Sequence, residues 1–187
     1  NATLHFLSKL NINTDGAKIQ KIIDTGLILN IVIFFLLTVS GYFILSYNLE
    51  NIIDDKNYLI LAKNILPILF ISVFFATVSS IVFGNLMGLH YGYMSSYLTV
   101  SGNIIQIILV VILVPKIGLV GLVWAQLIQY LLILIIGVYV VKTKVKSESY
   151  LPVNFSFNTL KVMLNYSLKT QFANTLNGIF EPFSKII

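Results

Sequence analysis

The sequence predicts an all-α integral membrane protein that crosses the bilayer several times. Of its 187 residues 57% are hydrophobic and only 10% charged, whereas soluble domains carry about 25% charged residues. The mean hydropathy is +0.91. Uncharged runs of 25 and 52 residues occupy positions 25–49 and 64–115, and about 20 apolar residues suffice to cross a hydrocarbon layer of ~30 Å.

Residues 1–24 mix apolar and charged positions, with Lys18, Lys21 and Asp24 set among Ile19, Ile22 and Ile23. This segment reads as an amphipathic approach at the bilayer surface or as an ordinary solvated helix end. The run 25–49 is the first span. A polar loop with three acids and two lysines follows at 50–63. The run 64–115 is too long for one helix and divides into spans at about 64–86 and 95–114, with the break in "FGNLMGLHYGYMSS". Pro67 then falls near the start of a span, where proline is tolerated. A fourth span at about 118–141 ends in the lysines Lys142, Lys144 and Lys146. The four-span unit thus covers 25–147, a linker with Pro152 occupies 148–160, and 161–187 begins a further span. The chain starts at Asn1 and breaks off in "FEPFSKII", which reads as a piece of a longer protein.

Every basic residue is a lysine, and the net charge is +5. The lysines flank apolar runs and form no basic stripe, which argues against nucleic-acid binding. Placing residues 1–24 in the cytoplasm puts Lys9, Lys18, Lys21, Lys142, Lys144 and Lys146 on that side, against Lys56, Lys63 and Lys116 outside. The positive-inside rule favours this orientation, with 1–24 and 142–160 cytoplasmic. The sequence has no cysteine, so disulfides and thiolate chemistry are excluded. His5 and His90 are far apart, and no metalloprotease, nucleophile-elbow or phosphate-loop motif occurs. Neither an enzyme, a metal nor a cofactor is expected.

Polar groups inside spans are more informative, because hydrocarbon forces them towards other helices or a wet passage. Asn103 and Gln106 are three apart on the third span, and Gln126 and Gln129 are three apart on the fourth. They read either as interhelical hydrogen bonds or as a polar wall along a passage. Gly84, Gly88 and Gly92 form a small-residue repeat that serves close packing or a hinge. On the last segment Lys169 and Gln171 precede Glu181 and Lys185, which are four apart and able to pair along a helix face. Lys169 reads equally as a snorkelling interfacial lysine.

The corner "LVPKIGLVGLVWAQLI", with Pro115, Gly118 and Gly121, together with Asn103 before it, resembles the polysaccharide (O-antigen and capsule) flippases of the MATE-like exporter superfamily. The end "NYSLKTQFANTLNGIFEPFSKII" is similar to that family's seventh helix through Gln171, Glu181-Pro182 and Lys185. The resemblance covers nearly the whole chain and maps 25–141 onto the third to sixth helices. The basic residue that the family carries before its fifth helix has only His90 to stand for it here.

The resemblance implies a two-lobed bundle of twelve to fourteen helices in the cytoplasmic membrane. It would move an undecaprenyl-pyrophosphate-linked oligosaccharide by alternating access, in contact with membrane lipids and other polysaccharide-assembly proteins. Asn103, Gln106, Gln126, Gln129, Lys169, Gln171 and Lys185 would then be passage candidates. Glu181 would be the candidate for ion coupling. A cation-coupled drug antiporter of the same superfamily and a non-catalytic membrane subunit are the alternatives.

Overall fold

The computed structural model describes residues 2–12, 14–145 and 152–184, with backbone alone at 174–184. The helices are α1 (Ala2–Leu7), α2 (Gly16–Ile52), α3 (Lys56–Gly88), α4 (Gly92–Ile117), α5 (Leu119–Val145) and α6 (Phe157–Ser184). No strand occurs among the described residues. Four helices, α2 to α5, are long and apolar enough to cross a membrane, and the chain is a multi-pass membrane protein.

The helices overrun the uncharged runs. α2 begins at Gly16 and α3 at Lys56, because a charged residue ends the hydrocarbon-compatible stretch without ending the helix. Pro67 therefore lies inside α3, well past its first turn. There it removes one backbone hydrogen bond, which membrane helices tolerate when neighbours compensate. Asp55 caps α3 by accepting from the Asn57 backbone N–H at 2.7 Å.

α3 is the centre of the bundle and packs against α1, α2, α4 and α5. α4 and α5 form a tight hairpin, while α6 touches α1 and α2. Consecutive long helices run antiparallel, so the start of α2, the α3–α4 turn and the end of α5 share one end. Lys144 of α5 lies 5.0 Å from the centre of the Tyr91 ring in that turn. This lysine-rich end also holds the main apolar core, in which Leu7, Ile19, Ile23, Leu86, Leu89, Val141 and Val145 are buried together.

The two helical turns differ from the sequence expectation in detail. In the α3–α4 turn the residue with positive φ is His90, at 66°, and not a glycine. The Tyr91 N–H donates to the Leu86 carbonyl at 2.8 Å, closing α3 with a Schellman-type bond. Gly92 is the first residue of α4, and a Cβ there would meet only Met87 at 3.9 Å. Gly88 is the close-packing member of the triplet: a Cβ would lie 2.8 Å from the Leu7 side chain and 3.1 Å from the Leu4 backbone. Gly84 is buried in α3.

In the α4–α5 turn the helix runs through Pro115 to Ile117. Pro115 does not end the span, since its missing N–H affects only the last turn. The corner is Gly118, at φ 62° and ψ −145°, a conformation essentially confined to glycine. A Cβ at Gly121 would lie 2.7 Å from the Leu113 backbone carbon, so this glycine sets how closely α4 and α5 approach.

Candidate functional site

Most polar side chains of the spans are satisfied by their own helix. Asn30 donates to the Gly26 carbonyl at 2.7 Å, Asn48 to Ile44 at 2.8 Å and Ser72 to Ile68 at 2.8 Å. Thr77, Ser80, Ser95 and Thr99 make similar bonds to carbonyls three or four residues back. Such groups answer the demand of the bilayer locally. The functional candidates are the polar groups that reach across helices or lack a partner.

Asp24 and Lys142 are the foremost of these. The Lys142 ammonium donates to the Asp24 carboxylate, and the two side chains are 2% and 0% exposed. Desolvating two charges costs several kcal/mol each, and only mutual attraction and further hydrogen bonds offset that cost. The further bonds come from the linker before α6. The Asn154 backbone N–H and side-chain amide donate to the second Asp24 oxygen at 3.2 and 3.4 Å. One residue along, the Thr25 hydroxyl accepts from the Ser156 backbone N–H at 3.1 Å. Two adjacent residues of α2 therefore fasten the end of α5 and the entry to α6.

Asn85 of α3 borders the same cluster. It is fully buried, and among the described residues neither its amide nitrogen nor its carbonyl oxygen has a hydrogen-bond partner. Leaving such groups unpaired costs about 1–3 kcal/mol. Asn85 and Lys142 line one small void with Leu27, Val82, Val138 and Val141. The lysine thus has an idle buried amide on one side and its carboxylate on the other.

The amides of α4 and α5 divide. Gln129 is buried and donates to the Asn103 carbonyl oxygen at 2.8 Å across the hairpin. That bond serves helix packing. Gln106 and Gln126 are half-buried. Ser79 adds a second crossing contact, donating to the Tyr130 carbonyl of α5 at 3.3 Å as well as to its own helix.

On α6, Lys169 and Gln171 are exposed. The Glu181 side chain and all of Lys185 lie outside the described residues. The sequence reading placed Lys142 among the lysines that fix topology; the structure keeps it at that end but inside the protein. It also missed Asp24 as a site residue. A usable signal existed: Asp24 and Lys142 each sit at the edge of an apolar run, with opposite charges, at the same expected end of the bundle.

At the base of the same end, Asn11 holds the half-buried Asp15. The Asn11 backbone N–H, with Lys18 and Thr14 adding to it, keeps the Asp15 carboxyl below the usual carboxylate range. No protein-family model, no curated protein and no solved structure matches this chain.

Proposed function

We propose that the chain contributes the third to sixth helices and the entry to the seventh of a two-lobed polysaccharide flippase. In this reading the protein passes an undecaprenyl-pyrophosphate-linked oligosaccharide across the cytoplasmic membrane by alternating access, with no bond made or broken. The observation that carries the reading is the Asp24 cluster. A transporter that rocks two lobes needs a firm joint between one lobe and the helix leading to the next. Asp24 and Thr25 hold the Asn154–Ser156 linker to α2 and, through Lys142, to α5. Gln106 and Gln126 support it as amides suited to sugar hydroxyls. The lysine-rich end is cytoplasmic in this scheme.

The test is restoration of surface polysaccharide in a bacterial strain lacking its own flippase. The full-length protein that contains this chain should restore it, Lys142→Ala should lower it strongly, and Gln106→Leu with Gln126→Leu should lower it with normal protein levels. In vesicles, Glu181→Gln should reduce the transport rate and flatten its dependence on pH. Failure of the unaltered protein to restore polysaccharide removes the reading. Full restoration by all the variants would remove the site assignment and leave the transport reading standing.

The second reading, a cation-coupled drug antiporter, is favoured by one observation: Asp24 is a fully buried carboxylate on α2, and ion coupling uses such groups. Export of a lipophilic cation down an imposed sodium or proton gradient, abolished by Asp24→Asn, would select it over the flippase.

A further inference from the structure

A groove at the lysine-rich end, between α1, α2 and the start of α6, has no part in the transport reading. It encloses about 490 Å³, with Phe6, Ile22 and Val162 on an apolar floor and Lys9, Lys18 and Lys21 on its rim. Among the described residues no acid lines it. All three lysines are exposed, and Lys18 has the carboxylate of Asp15 at 3.5 Å.

The groove lies at the depth of lipid head groups. At 1.5 Å per helical residue, Lys21 sits ~6 Å and Lys18 ~10 Å before Thr25, where the uncharged run begins. The head-group layer on each side of the hydrocarbon is roughly 5–7 Å thick. A lysine stem reaches several ångströms along an apolar surface, so Lys18 also brings its ammonium to that layer.

We propose that this groove binds an anionic phospholipid, with the phosphate among the three ammonium groups and the first part of an acyl chain along the apolar floor. The inference stands independently of the transport reading. Three lysines against the single carboxylate of Asp15 leave net positive charge on the rim, which an anionic lipid matches and a zwitterionic lipid does not. An apolar floor gains nothing from inorganic phosphate but is covered by an acyl chain. Juxtamembrane lysines attract anionic lipid strongly enough that each contributes about a fivefold change in binding.

The test uses the full chain purified in neutral detergent and native mass spectrometry. The probes are phosphatidylglycerol, phosphatidylcholine with the same acyl chains, and glycerol-3-phosphate. Phosphatidylglycerol should be retained at least about tenfold better than phosphatidylcholine, and excess glycerol-3-phosphate should not displace it. Lys9→Gln and Lys21→Gln should each weaken retention about fivefold, and the triple change with Lys18→Gln about a hundredfold. Val162→Ser should weaken it through the floor. Lys56→Gln and Lys116→Gln, at the opposite end, should leave it unchanged. Helix content by circular dichroism checks the fold, and if the triple variant loses helix the single variants decide. Equal retention of the two lipids, displacement by glycerol-3-phosphate or by an acidic peptide, or retention indifferent to the lysine changes would overturn the proposal.

Discussion

The two ends of the bundle are built on different principles. At the lysine-rich end five helices and a linker converge on a buried ion pair and an apolar core, with Leu7, Ile19, Leu86 and Asp24 at 0% exposure. At the opposite end α2 meets α3 through edge-on aromatic contacts such as Tyr42–Phe70 at 5.9 Å and Phe35–Phe74 at 6.3 Å. Its ion pair, Lys63–Glu50 at 2.7 Å, is half exposed. Phe35, Leu36, Phe43 and Ile44 face outward. In lipid an outward apolar side chain is at home, so this end needs no core. A buried charge, by contrast, must be held from several sides. The polar end is therefore held from several sides, and the apolar end rests on side-chain packing of fewer partners.

The largest expected effect tests that contrast directly. Asp24→Ala or Lys142→Ala strands one buried charge, and thermal unfolding in detergent should show a loss of about 3–5 kcal/mol. Replacing both, as Asp24→Asn with Lys142→Met, should recover most of the loss, because neither charge is then left alone. The equivalent changes at Glu50 and Lys63 should cost no more than about 1 kcal/mol, since exposed pairs gain little against solvent. Equal losses at the two ends would break the comparison.

A second set of variants asks whether the apolar end is loose throughout. Gly121→Ala drives a Cβ against the Leu113 backbone, 2.7 Å away, and backbone cannot turn aside. Overpacking of this kind costs about 1–3 kcal/mol. Gly41→Ala on α2 meets the Phe70 ring at 3.0 Å, a side chain that can swing into the open groove of about 540 Å³ beside it. It should cost less than half as much. That difference would confine the looseness to the α2–α3 side and leave the α4–α5 hairpin rigid. Comparable losses from both glycines would show that α2 is as firmly held as α5.

What the sequence disclosed follows the same division. The spans, their antiparallel order and the corner at Gly118 and Gly121 were legible, because runs of apolar residues and glycines act locally. Asp24 and Lys142 were legible only as opposite charges expected at one end of the bundle; that they pair was not, since they are 118 positions apart and spacing says nothing about contacts at that range. Lys142 and Lys144 look alike in sequence. One turns into the bundle and the other onto Tyr91, a distinction set by which helix face meets α2. The short α1 was hidden too: it is held by Leu7 and Leu4 lying against Gly88, not by a periodic pattern of its own. Pro67 and Pro115 were expected at span edges, but the helices run on past the uncharged stretches, so Pro67 lies well inside α3 and Pro115 in the last turn of α4.

The smallest effect separates packing from passage among the amides. Gln129→Leu removes the bond to Asn103, and interhelical hydrogen bonds in membranes are worth about 0.6 kcal/mol. A double-mutant cycle with Asn103→Leu should return a coupling of that size, read from unfolding in detergent. Transport should change little, because Gln129 is buried between α4 and α5. Gln106→Leu and Gln126→Leu should behave in reverse, leaving stability nearly unchanged and lowering transport. If Gln129→Leu instead stopped transport at full stability, the α4–α5 seam would belong to the moving part of the molecule. The rigid hairpin inferred from Gly121 would then have to open during the cycle.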